Sequence, residues 1–148
     1  MQPNTEPVDQ LALRLWTAAR KRNWELVRTL MHPNAELQTG VASDQLLNRE
    51  LAVTATEVAV AADMYDPKLN SFETLDQHTA LVAGKALYRH SSDLVEERRT
   101  VWLFTFEDDL LVRSHVFHSI PEALDFHRAQ NESGTRGSRR RGDTRSSA

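Results

Sequence analysis

Three alternating apolar stretches follow one another between residues 80 and 120: ALVAGKALYRH, EERRTVWLFTF and LLVRSHVFHSI. Alternation built from β-branched and aromatic residues marks strands. Glu107, Asp108 and Asp109 separate the second stretch from the third, as a tight hairpin turn would. The segment PEALDFHRA comes next and reads as a short helix, with Pro121 in its first turn and its end near Arg128. What precedes the strands reads mostly as helix. Helices followed by a strand meander predict an α+β domain, with helices on one face of a curved antiparallel sheet. Such a sheet can enclose a pocket, and the pocket is the functional lead.

After Pro7, the residues Val8, Leu11, Leu15 and Ala19 recur at helical spacing, with Trp16 beside the stripe. Asn23 is the expected cap of a second, short helix carrying Trp24, Val27, Leu30 and Met31, which Pro33 should stop. Ala35 to Gln38 is too short to assign beyond a strand edge, and Gly40 marks a turn. Ser43 or Asp44 is the expected cap of a third helix reaching about Ala62, with Leu47, Leu51, Ala55 and Val58 on one face. Asp66-Pro67 breaks the pattern, and Ser71 to Leu75 alternate weakly, as a further strand would.

A chain of 148 residues, 40% of them hydrophobic, is long enough to bury one core without crosslinks. It has no cysteine, which excludes a disulfide scaffold, a zinc–thiolate site and a cysteine nucleophile, and which fits a reducing cytoplasm. No apolar run approaches the roughly 18 residues of a spanning helix. The opening MQPNTEPVDQ lacks a basic-then-apolar signal pattern, so a cytoplasmic protein without membrane contact is expected. The net charge of −3 is unevenly spread. From Ala129 onward five arginines stand against two acids, which gives this tail +3 and leaves −6 for the rest. The tail is rich in Gly, Ser and Arg without an apolar cluster, so the expected division is a folded domain at 1–128 and a disordered basic tail at 129–148. No aromatic residue interleaves the arginines, and nucleic-acid contact is expected only as nonspecific attraction by this tail.

The stretch VWLFTFEDDLLVRSHVFHSIPEAL resembles the closing strands of SnoaL-like members of the nuclear-transport-factor-two-like superfamily. The matching parts are the aromatic strand Trp102 to Phe106 and the turn Asp108-Asp109. A strand of the form I-x-R-x-x-x-F at Leu111 to Phe117 follows, then the helix motif Glu122-Ala123-Leu124. LWTAARKRNWELVRTLMHPNAEL resembles the family's opening helix pair and the entry to its first strand. The resemblance covers roughly residues 8 to 128. Asp109 stands where the family usually has glycine, a backbone that aspartate tolerates. The resemblance implies a cone-shaped cystatin-like roll: a bent sheet around an N-terminal helix pair and a third long helix, open at one end. It also implies a homodimer through the outer sheet face. Family functions range from isomerases, polyketide cyclases and epoxide hydrolases to binding without chemistry, and no cofactor is expected.

Alternation separates Thr100, Trp102, Phe104 and Phe106, with Val112, Ser114, Val116 and His118, from Arg99, Val101 and Leu103, with Arg113, His115 and Phe117. The resemblance turns the Trp102/His118 set inward. The expected ligand-binding residues are Trp16, Trp102, Phe104, Ser114, Val116 and His118, with His118 as the catalytic acid–base residue. The other reading of His118 is a helix cap or a dimer contact. Trp24 is assigned to the core.

A ketosteroid-isomerase-like site does not carry over. Gln38 and Thr39 stand near the base's position, the first helix has no tyrosine, and Trp102 replaces the acid donor. An epoxide-hydrolase-like Asp-Arg-Asp site would draw on Glu96, Glu97, Arg98, Arg99 and Asp63, but adjacent strand residues face opposite ways, and a salt-bridge ladder is the plainer reading. His115 and His118 likewise face opposite ways, and His32, His78, His90 and His127 lack paired ligand spacing, so no metal site is expected. Two readings stay open. One is a small-molecule-binding cone for an apolar ligand, acting, if an enzyme, as an isomerase, cyclase or hydrolase on a carbonyl or epoxide compound. The other is a non-catalytic dimeric interaction protein using the outer face with Arg99, Val101, Arg113 and Phe117.

Overall fold

The computed structural model describes residues 2–38, 45–91 and 93–132. In chain order the elements are α1 (Val8–Arg20), α2 (Trp24–Thr29), β1 (Met31–Leu37), β2 (Leu47–Asn48), α3 (Arg49–Ala61), β3 (Tyr65–Thr74), β4 (Thr79–Arg89), β5 (Val95–Glu107) and β6 (Leu110–Phe117). A last helix, α4, spans 120–132. The strands form one sheet in the order β2-β1-β6-β5-β4-β3. Neighbours run antiparallel except β1 and β6, which are parallel, so the expected antiparallel sheet is mixed at one pairing. The fold class is the expected α+β arrangement of helices against a curved sheet.

Period-two alternation sorts the meander into two cores. On the inner face Ala80 and Val82 of β4, Trp102 and Phe106 of β5, and Leu111 and Val116 of β6 pack with α1, α2 and α3. On the outer face Leu81, Val101 and Leu103 pack under Ala123, with Phe117, Leu124 and Phe126 beside them. Part of the surface expected to serve a partner, Val101 and Phe117, thus lies under the chain's own α4, while Arg99 and Arg113 remain exposed. α4 is also held by His127, whose Nε2 lies 2.7 Å from Asp76 Oδ2. It continues past the expected end near Arg128, and the tail expectation for residues 133–148 falls outside the described residues.

Bulges in β3 and β6 bend the sheet, and the β1–β6 register also shifts between Met31 and Glu36. Leu69 pairs with Gly84 and Ser71 with Ala83, which leaves Asn70 as an extra residue in β3. Thr105 pairs with Arg113 and Phe106 with Leu111, which makes Val112 the extra residue in β6. The second bulge reverses the parity of β6, so Leu111 joins the inner core where alternation predicted Val112. At the first bulge β3 comes so close that a Cβ on Gly84 would lie 2.2 Å from the Lys68 carbonyl oxygen. Pro67 sits inside β3 rather than breaking it, because β3 is an edge strand and tolerates a residue with no N–H. β1 likewise starts at Met31, ahead of the expected strand edge.

α3 departs most from expectation. Its cap is Asn48, whose side chain accepts a hydrogen bond from Leu51 N; the expected Ser43 and Asp44 caps and the Gly40 turn lie outside the described residues. Its buried face is Ala52 and Val53, whereas Leu51 and Val58 are 57% and 61% exposed. The helix is apolar on nearly every side, so periodicity alone does not choose the buried face.

The N-terminal segment is fastened to the β5–β6 hairpin. Asp108 and Asp109 both have positive φ (54° and 61°). The Asp109 carboxylate accepts from the backbone N–H of Thr5 (2.8 Å) and of Glu6 (3.2 Å) and from the Thr5 hydroxyl. Asn4 adds bonds to the Phe106 carbonyl (2.9 Å) and from the Asp109 N–H (2.8 Å). Aspartate at the glycine-like position therefore supplies a carboxylate that a glycine would not.

Candidate functional site

Between the inner sheet face and α1–α3 lies a cavity of about 160 Å³. Three indoles shape it: Trp16 from α1, Trp24 from α2 and Trp102 from β5. Phe104, Leu111 and the α3 residues Ala52 and Val53 complete its apolar walls. Among the described residues, none that lines it is Asp, Glu, His, Lys or Arg. An apolar void of about 150 Å³ in a protein core accepts a benzene ring, so this one has single-ring dimensions.

Polar groups reach the cavity at four side chains besides the indoles: Gln38, Thr56, Tyr65 and Ser114. Gln38 follows β1 directly and continues its pairing with β6. Its backbone N–H donates to the Ser114 carbonyl (2.9 Å), and its Oε1 accepts from Val116 N–H (3.1 Å). Thr56 Oγ1 donates to the Ala52 carbonyl at 2.9 Å, within its own helix. The Ser114 and Tyr65 hydroxyls have no hydrogen-bond partner among the described residues. Burial pushes the Tyr65 phenol well above its ordinary value, with smaller contributions from Tyr88 and Asp66. It therefore stays protonated at neutral pH and acts as a hydrogen-bond donor.

The expected site residues divide. Trp16, Trp102, Phe104 and Ser114 line the cavity together. Val116 is buried beside them in the same core, across the ladder from Trp102, but does not line the void. His118 is displaced: β6 ends at Phe117, and the chain turns there toward α4, so His118 is exposed and outside the lining. The shared inner wall of an indole at 102 and an imidazole at 118 is not formed. The reason is that alternation holds only while a residue stays in the strand.

Several lining residues were not expected. Leu111 was hidden by the Val112 bulge. Trp24, assigned to the core, packs against the core and lines the void as well. Tyr65 offers a hydroxyl on sequence grounds, as Tyr88 does, but the neighbouring Asp66-Pro67 reads as a break and gives it no face. Gln38 carried a usable signal, since it stands near the position where related chemistries place a base.

The other candidate constellations stay apart from the cavity. Glu96 and Arg98 pair at 2.7 Å on one face of β5, while Glu97 pairs with Lys85 at 3.0 Å on the other. Asp63 is exposed, with Arg89 at 3.4 Å. His115 lies under α4. Among the described residues no three His, Asp or Glu side chains converge as metal ligands, and no helix there is long and apolar enough to cross a membrane.

No protein-family model and no curated protein matches this chain. Solved structures do. An NTF2-like protein of unknown function from Cytophaga hutchinsonii aligns over 74% of this chain and 96% of its own, with TM-score 0.57 and 8% identity. SalBIII, an epoxide hydrolase/cyclase-like enzyme with a role in pyran ring formation in the polyether salinomycin, aligns over 76% and 90%, with TM-score 0.61 and 14% identity. RV0760c from Mycobacterium tuberculosis, in complex with estradiol-17beta-hemisuccinate, aligns over 75% and 92%, with TM-score 0.61 and 10% identity. The chain has the nuclear-transport-factor-two-like fold.

Proposed function

We propose that this nuclear-transport-factor-two-like fold binds a small molecule whose apolar, ring-sized part fills the cavity between Trp16, Trp24 and Trp102. The observation that carries the reading is an aromatic void with no charged side chain among the described residues of its wall. Burying a charge in such a site without a partner is costly, so the part of the ligand inside it is neutral. The Tyr65 and Ser114 hydroxyls supply directional contacts to a carbonyl, ether or hydroxyl oxygen, as few convergent polar groups do in apolar sites. That RV0760c is found in complex with estradiol-17beta-hemisuccinate supports small-molecule binding by this fold.

A catalytic version, a cofactor-free isomerase, cyclase or hydrolase, is supported by the likeness to SalBIII. Proton transfer needs a group within hydrogen-bond reach of the reacting atoms. In this cavity that group is the Tyr65 phenol, a donor at neutral pH, and the binding reading stands without it. A homodimer through the outer face would have to use the area that α4 leaves open, around Arg99 and Arg113.

The test is a titration of single-ring and two-ring carbonyl compounds, followed by tryptophan fluorescence and thermal shift. A ligand at a hundred times its dissociation constant should add about 2.7 kcal/mol of stability. Ser114→Leu, which places a larger side chain in the void, should abolish binding while the fold is retained. Binding that survives Ser114→Leu, or no response to any compound, refutes the reading.

A further inference from the structure

β6 ends at Phe117, opposite Val101, so the first residues of β5 have no β6 neighbour. There β3, β4 and β5 run on as a three-stranded extension, and β3 joins it to the cavity through Tyr65 and Pro67, which line the wall. Tyr65, the cavity residue nearest this end of β3, is paired across the ladder with Tyr88. Their ring centroids are 5.3 Å apart. The guanidinium carbon of Arg98 lies 5.0 Å from the Tyr88 ring centroid. Arg98 shares the inner parity of Thr100 and Trp102, and it pairs with Ala86, which is fully buried. A row of two phenols thus leads from the uncharged void to a cation at the surface.

Arg98 keeps donors to spare. Its Nη2 bonds Glu96 Oε1 at 2.7 Å, and the same oxygen lies 3.0 Å from His90 Nε2. The guanidinium's Nε and Nη1 have no hydrogen-bond partner among the described residues. A guanidinium presents five N–H groups in a planar fork, so one bond to Glu96 leaves an edge for a second carboxylate. Glu96 is the carboxylate already beside the cation, and its Oε1 is shared by His90 and Arg98.

We propose that the ligand is amphiphilic: its apolar ring occupies the indole-lined void, and a carboxylate carried on a short chain passes Tyr65 and Tyr88 to the free edge of Arg98. This rests on the binding reading above and adds the anionic end. Tyr65 and Tyr88 act as an apolar sill that the chain crosses, and Arg98 is the specificity-determining residue.

The experiment compares 6-phenylhexanoate with 6-phenylhexan-1-ol by isothermal calorimetry at low ionic strength and at a pH where the acid is ionised. The wild-type protein should bind the acid about tenfold more tightly than the alcohol, the size of a partly exposed charge-assisted contact. Arg98→Gln should bring the acid down to the level of the alcohol and leave the alcohol unchanged. Arg98→Lys should recover part of the preference, since it restores charge without the fork. Added salt should shrink the preference of the wild type. Equal affinities in the wild type, or a preference that survives Arg98→Gln, overturn the inference while alcohol binding that Ser114→Leu removes still upholds the cavity. If neither compound binds, or if Ser114→Leu changes nothing, both readings fall.

Discussion

The rings of His115 and Phe126 pack with centroids 4.6 Å apart, and the buried His115 Nε2 has no hydrogen-bond partner among the described residues. This contact helps fasten α4 to the outer sheet face. Burial holds the His115 pKa below its ordinary value, nearby Arg113 lowers it further, and Glu36 raises it slightly. The folded protein therefore favours the neutral ring. In the unfolded chain the ring takes up a proton near its ordinary value of about 6.5. Stability linked to this residue is thus present above that pH and is lost as the pH falls through it. Urea unfolding at about pH 7.5 and about pH 5.5 should show a loss on acidification that is smaller in His115→Phe, which keeps the aromatic contact without the titrating nitrogen. An unchanged pH slope in the variant would count against the assignment.

Exposure divides α3 in a way that mutation can read. Val53 is buried at 2% exposure and Val58 stands 61% exposed. Val53→Ala should cost about 2 kcal/mol through lost burial and a small cavity. Val58→Lys should stay within about 0.5 kcal/mol. Equal losses in chemical denaturation would mean that the helix is turned the other way.

Gly84 is needed for space. A methyl group there would meet the Lys68 carbonyl oxygen at 2.2 Å and the Leu69 Cα at 2.7 Å. Backbone cannot yield as a flexible side chain does. Gly84→Ala should cost about 1–3 kcal/mol, the range of an overpacked core. It should also disturb amide exchange protection along β3.

Asp109 tests whether backbone ease or hydrogen bonding dominates the hairpin. Glycine would relieve the positive φ of 61° but remove the carboxylate that holds Thr5 and Glu6. Asp109→Gly should lower the midpoint of thermal unfolding and increase proteolysis ahead of α1. A raised midpoint would show that the strained backbone outweighs the lost bonds.

His118 should be dispensable for the cavity. Because it is exposed and beyond the end of β6, His118→Ala should leave stability within about 0.5 kcal/mol and ligand affinity unchanged. A marked loss of affinity would restore the imidazole to the site.

Much of this architecture was legible in local pattern. Alternation located β4, β5 and β6, and it placed Trp102, Phe104 and Ser114 on one face. The capping preference of asparagine located the start of α2 at Asn23. The aspartate pair at 108 and 109 marked the β5–β6 turn. These signals survive because they depend on residues a few positions apart.

Tertiary structure decided the rest. The extra residue at Val112 reversed the parity of β6 and brought Leu111 inward. The turn into α4 ended the strand before His118. α3, apolar on most sides, was rotated by what it packs against, which put Ala52 and Val53 inside and Leu51 outside. Tyr65, Tyr88 and Arg98 are distant in sequence and became a row only when three strands aligned. Sequence periodicity states which residues share a face; which face meets a neighbour is settled by the shapes that must fit together, and those belong to the whole fold.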